Sequence, residues 1–168
     1  MKTLFTQFGS ASPIIQKLYT SGTEDVSWVK GIDTQTGFNL GSSANTYTEG
    51  GSYITLKIFN EPIGFITSNL ATVTNATVDI TGYKRVYVDW EVISGGTFAL
   101  IVDDTKAGDI DNFEAKATYG AGTGRKITAL AINALTGSKY IRVNAWASTA
   151  GPDIEEIEIR IHRVWLEK

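Results

Sequence analysis

The chain has 168 residues, of which 42% are hydrophobic and 20% charged, with 17 Gly, 3 Pro and no Cys. That is enough for one domain burying about 70% of the surface its unfolded form would expose, and it excludes a disordered chain, a disulfide framework and a thiolate metal site. A net charge of −3 and a pI near 5.2 leave no basic face for counterion release, so nucleic acid is not an expected partner.

Along the chain, residues 1–13 read as an N-terminal arm with a turn at Ser10 to Pro13, and residues 14–168 as one domain. The start, Met1 to Gln7, lacks an apolar run of signal-peptide length, and no segment approaches the roughly 18 apolar residues of a membrane span. The expectation is a protein made without export and without a membrane partner. Ile14 to Tyr19 and Val26 to Val29 read as strands, and Gly31 to Gly51 as surface loops around one short strand. Ile54, Leu56 and Ile58 alternate with polar neighbours, Ile63 to Thr67 is a further short strand, and Thr77 to Ile80 leads through Thr81-Gly82-Tyr83 into Arg85 to Ile93.

That last strand carries the strongest signal. Val86, Val88, Trp90 and Val92 point one way and Tyr87, Asp89 and Glu91 the other, the period of two that separates a buried face from an exposed one. Phe98 to Val102 repeats it, and an acidic loop runs from Asp103 to Asp111. Phe113 to Tyr119 is expected to pair with Lys126 to Ile132 across a glycine-rich hairpin turn, with Leu130 to Leu135 the one place for a helical turn. Ile141, Val143, Ala145 and Ala147 then oppose Tyr140, Arg142, Asn144 and Trp146. In the final strand Ile157, Ile159 and Ile161 give way to Val164 and Leu166, a phase change that a bulge near His162-Arg163 would produce. Strands at this spacing predict an all-β, single-domain antiparallel β-sandwich of the jelly-roll kind.

Most of the candidate chemistry has a plain structural reading. Gly120 to Lys126 lacks the spacing of a phosphate-binding loop. His162 is the single histidine, too little for a zinc site or a triad, and reads as a surface residue. Asp103, Asp104, Asp109, Asp111 and Asn112 supply hard oxygen atoms of the kind that hold calcium, but not at EF-hand spacing, so no metal and no cofactor is expected. Asp89 and Glu91 lie about 6.5–7 Å apart by strand rise. They project in parallel from one strand, whereas glycosidase carboxylates flank a cleft, so no catalytic residue and no enzyme activity is assigned. Asn75-Ala76-Thr77 is a glycosylation sequon, read as a coincidence where no export signal is expected. Tyr140, Arg142, Asn144 and Trp146 form the best ligand face: flat rings that stack on sugars, a guanidinium fork and an amide for hydroxyl pairs. Tyr87, Asp89 and Glu91 extend it if their strand shares the sheet.

Four patches resemble one family. Val78-Asp79-Ile80-Thr81-Gly82-Tyr83 leading into Val86-Tyr87-Val88-Asp89-Trp90, then Ile132 to Val143, Val164-Trp165-Leu166-Glu167, and Tyr19 to Val26 are similar to modules near the ends of tail proteins from phages and prophages of Gram-positive bacteria. The Gly-Gly-Trp usual after the opening patch is replaced here by Ser27-Trp28-Val29-Lys30-Gly31. The resemblance implies a sandwich like that of carbohydrate-binding modules, carried on a virion assembled in the host cytoplasm. It would bind bacterial surface polysaccharide without catalysis, contact other tail subunits, partly through the arm, and form a homo-oligomer. The alternative is a purely structural virion protein whose outer faces make protein contacts, with a glycan-active enzyme third.

Overall fold

The computed structural model describes residues 14–20, 26–36, 44–60, 66–94, 97–108, 110–120, 122–149 and 155–168. The arm read over residues 1–13 lies outside them. Their strands are β1 (Ile15–Thr20), β2 (Trp28–Thr36), β3 (Thr46–Gly50), β4 (Tyr53–Asn60), β5 (Ile66–Thr74), β6 (Val78–Asp79), β7 (Arg85–Ser94), β8 (Thr97–Asp103), β9 (Ala115–Tyr119), β10 (Gly124–Ala131), β11 (Ser138–Thr149) and β12 (Glu155–Glu167). They form two antiparallel sheets facing each other. One has the order β10-β7-β12-β4-β3, with β1 also on β12; the other has β2-β5-β11-β8-β9, with β6 also on β11. This is the all-β sandwich expected from the periodicity. No helix among the described residues is long and apolar enough to cross a membrane.

The inner faces carry the alternating apolar sets. Val86, Val88, Trp90 and Val92 of β7 meet Phe98, Leu100 and Val102 of β8 and Ile141, Val143 and Ala145 of β11, all essentially without solvent contact. At the centre, Trp90 and Phe98 touch edge to face with ring centroids 3.7 Å apart. The Trp90 indole donates to the Thr128 hydroxyl at 2.9 Å, so its one polar atom is satisfied inside the core. Trp28 does the same by donating to the Leu18 carbonyl at 3.1 Å.

The bulge near His162 is present. The register of β12 on β7 shifts between Ile161 and Arg163. Ile157, Ile159 and Ile161 are buried before it, and Val164 and Leu166 after it. Several other expectations are corrected. β9 and β10 are not a hairpin: β9 pairs with β8 and β10 with β7, so the glycine-rich segment between them crosses from one sheet to the other. The stretch over residues 31–51, read as surface loops around one short strand, holds most of β2 as well as all of β3. β5 runs on to Thr74, well past the short segment expected to end at Thr67. Leu130 to Leu135 is the end of β10 followed by a turn closed by the Leu135 amide on the Ile132 carbonyl.

At one end of the sandwich two Thr-Gly turns interlock. The Gly137 amide donates to the Thr81 hydroxyl at 3.0 Å, and the Ile80 amide to the Gly137 carbonyl at 3.0 Å. Gly82 and Gly137 have φ of 78° and 82°, where a side chain would strain the backbone. Nearby, the Lys84 amide donates to the Glu167 carbonyl and the Ile132 amide to the Lys84 carbonyl. Residues 78–90, 132–143 and 164–167 therefore meet at this end of the sandwich.

Trp90 is core and Trp146 is only partly covered. Trp90→Ala is expected to lose about 3–5 kcal/mol through the cavity it leaves, and Trp146→Ala much less. Denaturant midpoints of the two variants check this order.

Candidate ligand-binding face

Each sheet has an outer face, and the two differ sharply in what they present. On the β11 sheet the outward positions are Tyr140, Arg142, Asn144 and Trp146, beside Asn69, Ala71 and Val73 of β5 and Ala99, Ile101 and Asp103 of β8. Arg142, Asn144, Ala71, Val73, Ala99 and Ile101 are all 0% exposed. The two polar groups expected to meet a ligand from this face, Arg142 and Asn144, are instead covered, with Tyr140 and Trp146 half-buried.

The loop after β8 is part of the cover. The Arg142 guanidinium donates to an Asp103 carboxylate oxygen at 3.2 Å and to the Asn112 carbonyl. Gly108 lies so close over it that no larger residue fits without displacing the guanidinium. Asp103 also accepts from the Asp104 amide at 2.8 Å and the Thr105 hydroxyl at 2.6 Å. Lys139 bridges Asp104 and Glu114 at 2.6 and 2.7 Å, and its ammonium holds the Asp104 carboxyl below the usual aspartate value. Lys106 donates to the Asn75 carbonyl and side chain, and Lys116 to the Ile110 carbonyl. Asp103 and Asp104 are thus engaged by cations of the chain itself. Among the described residues no three metal-ligating side chains converge. Asn144 donates to Asn69 at 3.3 Å.

Tyr87, Asp89 and Glu91 do not extend that face. Their strand belongs to the other sheet, so they project from the opposite side of the sandwich. There they meet residues that the pattern alone did not single out. The β12 bulge turns Arg163, Trp165 and Glu167 outward, in register with Asp89, Tyr87 and Arg85. Trp165 and Tyr87 stack with ring centroids 5.1 Å apart and planes within 5°, and the Tyr87 hydroxyl donates to Glu167 at 3.2 Å. Arg163 lies over the Trp165 ring, 5.4 Å from its centroid. Next to the pair is a cleft of about 410 Å³ between β1 and β12, lined by residues including Ile15, Lys17, Arg163, Trp165 and Glu167.

Asp89 is the hub of this face. It is 1% exposed, yet takes hydrogen bonds from Arg125 at 2.8 and 3.0 Å and from Arg163 at 2.8 Å. Burial alone would raise its pKa, but the bonds and charges of Arg125 and Arg163 outweigh that and hold it below the ordinary 3.8. Further along, Glu91 contacts His162 at 3.3 Å. His162 also meets the Tyr53 ring edge-on at 5.6 Å, and Arg160 lies over Tyr53. His162 is therefore mostly covered rather than a plain surface residue, with 14% of its side chain exposed.

No protein-family model matches this chain, and no curated protein matches it. Solved structures with this fold exist. The chain is similar to the glycoside hydrolase domain of Endo-D from Streptococcus pneumoniae R6, with a TM-score of 0.55 and 14% identity, over 83% of this chain and 21% of that much longer one. It is similar to a family 29 carbohydrate-binding module, with a TM-score of 0.51 and 11% identity over 94% and 90% of the two chains. It is also similar to the family 11 carbohydrate-binding module of a cellulosomal cellulase of Clostridium thermocellum, with a TM-score of 0.51 and 8% identity over 94% and 95%. The shared feature is the jelly-roll-like sandwich.

Two predictions follow from the electrostatics of the two faces. Arg142→Ala strands the buried Asp103 carboxylate and is expected to cost about 3–5 kcal/mol, read as a denaturant midpoint shift without loss of cooperativity. For Asp89 the folded pKa lies below the unfolded one, so its stabilisation is present above about pH 4 and disappears as pH falls through the folded value. Asp89→Asn is expected to be less stable than the parent protein at pH 7, with the gap closing below pH 4. Melting temperatures across that range test it, and a gap that stays constant counts against the assignment.

Proposed function

We propose that this chain is a glycan-binding module that holds polysaccharide on the outer face of the β7 sheet. The observation that carries the reading is the stacked Trp165–Tyr87 pair beside an open cleft. Stacking on Tyr87 holds the Trp165 ring in place at the cleft wall, where its remaining apolar surface can receive a sugar, and flanking guanidinium and carboxylate groups offer hydroxyl partners at its edge. The fold shared with carbohydrate-binding modules supports the same reading. Binding without catalysis fits the carboxylates here. Asp89 is kept ionised between two arginines, a poor state for a general acid, and Glu167 accepts from Tyr87.

In its finer form the proposal places the module on a phage or prophage tail, where copies of it and other tail subunits assemble and bacterial surface polysaccharide is the target. Sequence patches such as Thr81-Gly82-Tyr83 and Thr136-Gly137-Ser138 support this setting. A structural virion protein is the second reading, favoured by the exposure of Ile14 and Ile15, at 62% and 51%, next to the cleft. Exposed apolar groups of this kind suit a protein contact.

Retention on immobilised polysaccharides and bacterial cell walls separates the two. Trp165→Ala is expected to fold with a near-parental melting temperature and to lose about tenfold in retention, the scale of one lost stacking contact. Trp146→Ala is expected to keep it. Unchanged retention of the Trp165 variant would remove the platform from the site. Failure of the parent protein to bind any glycan or wall leaves the structural reading.

A further inference from the structure

The platform has an uneven electrostatic setting. Over the whole chain the formal charge is −3, yet the residues around Trp165 reverse that sign. Two clefts adjoin on this face and share Arg163: the one beside Trp165, and a second of about 430 Å³ lined by Asp89, Arg125, Lys126, Ile127 and Arg163. Their charged groups are Lys17, Arg125, Lys126 and Arg163, against Asp89 and Glu167.

The arrangement of the two arginines is more telling than the count. Asp89 is buried, while the side chains of Arg125 and Arg163 are 54% and 48% exposed. One carboxylate beneath the surface thus grips two guanidinium groups above it and carries one charge against their two. Arg125 reaches Asp89 through Nε and Nη2, and so does Arg163. Each guanidinium has five N–H groups in a fixed plane, so donors remain on the edge turned away from Asp89. Their side chains have already lost much of their freedom to the ion pair, which removes part of the ordering cost of binding. Two fixed, half-exposed forks next to a stacking ring match the oxygen atoms of a carboxylate or phosphate group.

We infer that the Arg125–Asp89–Arg163 trio is an anion subsite, and that the glycan of this face is an acidic one, bearing carboxylate or phosphate groups. The inference rests on the glycan-binding reading and narrows it. Glu91 lies on the same strand, where it contacts His162, and Glu167 accepts from Tyr87. Arg85 stands 3.9 Å from Glu167.

The test uses the full chain and three immobilised polymers: polygalacturonate for carboxylate, a glycerol-phosphate teichoic acid for phosphate, and neutral glucomannan. The parent protein is expected to be retained at least about tenfold better on one or both acidic polymers than on the neutral one, the size of one charge-assisted contact. That preference is expected to shrink as salt rises. Whichever acidic polymer is retained names the group recognised. In the variant Asp89→Asn, Arg125→Gln, Arg163→Gln no charge is left stranded. It is expected to melt as one cooperative unit and to lose the acidic preference while keeping whatever retention on glucomannan the Trp165 platform supplies. A milder variant, Arg125→Gln alone, is expected to lose part of the preference and guards against misfolding of the triple variant. If the parent protein binds glucomannan as well as the acidic polymers, or both variants keep the full preference, the anion subsite is wrong and the glycan-binding reading stands. If the parent protein binds none of the three nor any other wall or glycan, both readings fall.

Discussion

The bulge in β12 is the constraint on which the proposed site depends. A strand's side chains alternate strictly, so burying Ile157, Ile159 and Ile161 would by parity send Arg163 and Trp165 inward as well. The extra residue at His162 resets the count. Val164 and Leu166 take the core positions, and Arg163, Trp165 and Glu167 turn outward opposite Asp89, Tyr87 and Arg85. One irregular residue therefore creates the stacked rings and brings the second arginine to Asp89. It also keeps a guanidinium, an indole and a carboxylate out of a core that could not satisfy them.

The two outer faces show how burial changes the meaning of the same residue type. On the β11 sheet, Arg142 is a structural cation, held by Asp103 and the Asn112 carbonyl under Gly108. Removing it leaves an uncompensated buried charge. On the β7 sheet the geometry is inverted, with the acid buried and the arginines exposed. The first arrangement fastens a loop to a sheet. The second displays positive charge at a fixed place.

What the sequence made legible follows from this. β7, β8, β11 and β12 were readable because each buries a clean apolar set, and the bulge was readable as a break in parity. β5 was largely missed because Ser68 to Thr74 is buried on both faces. With Asn69 and Ala71 as covered as Leu70 and Thr72, no polar-apolar contrast remains. The same double burial misled the reading of Arg142 and Asn144, whose polarity suggested solvent. The β9–β10 pairing failed because nearness in sequence favours a hairpin, while this wiring sends successive strands to opposite sheets. Tyr87, Asp89 and Glu91 were correctly placed as outward on their own strand, but their neighbours depended on sheet order. Trp165 was within reach: the phase change that marks the bulge also predicts the direction of Arg163 and Trp165.

The position of β12 has a consequence for how the protein is made. It is the last strand in the sequence and lies in the interior of its sheet, between β7 on one side and β4 and β1 on the other. While the chain is still growing on the ribosome, β4 and β7 have been synthesised without the strand that joins them. Their unpaired edges and apolar faces are open until residues 155–167 emerge. Pairing of β1 with β12 then closes a loop spanning nearly the whole chain, a step slowed by its entropy. The β7 sheet cannot assemble progressively from the N-terminus, because its interior waits for residues 155–167.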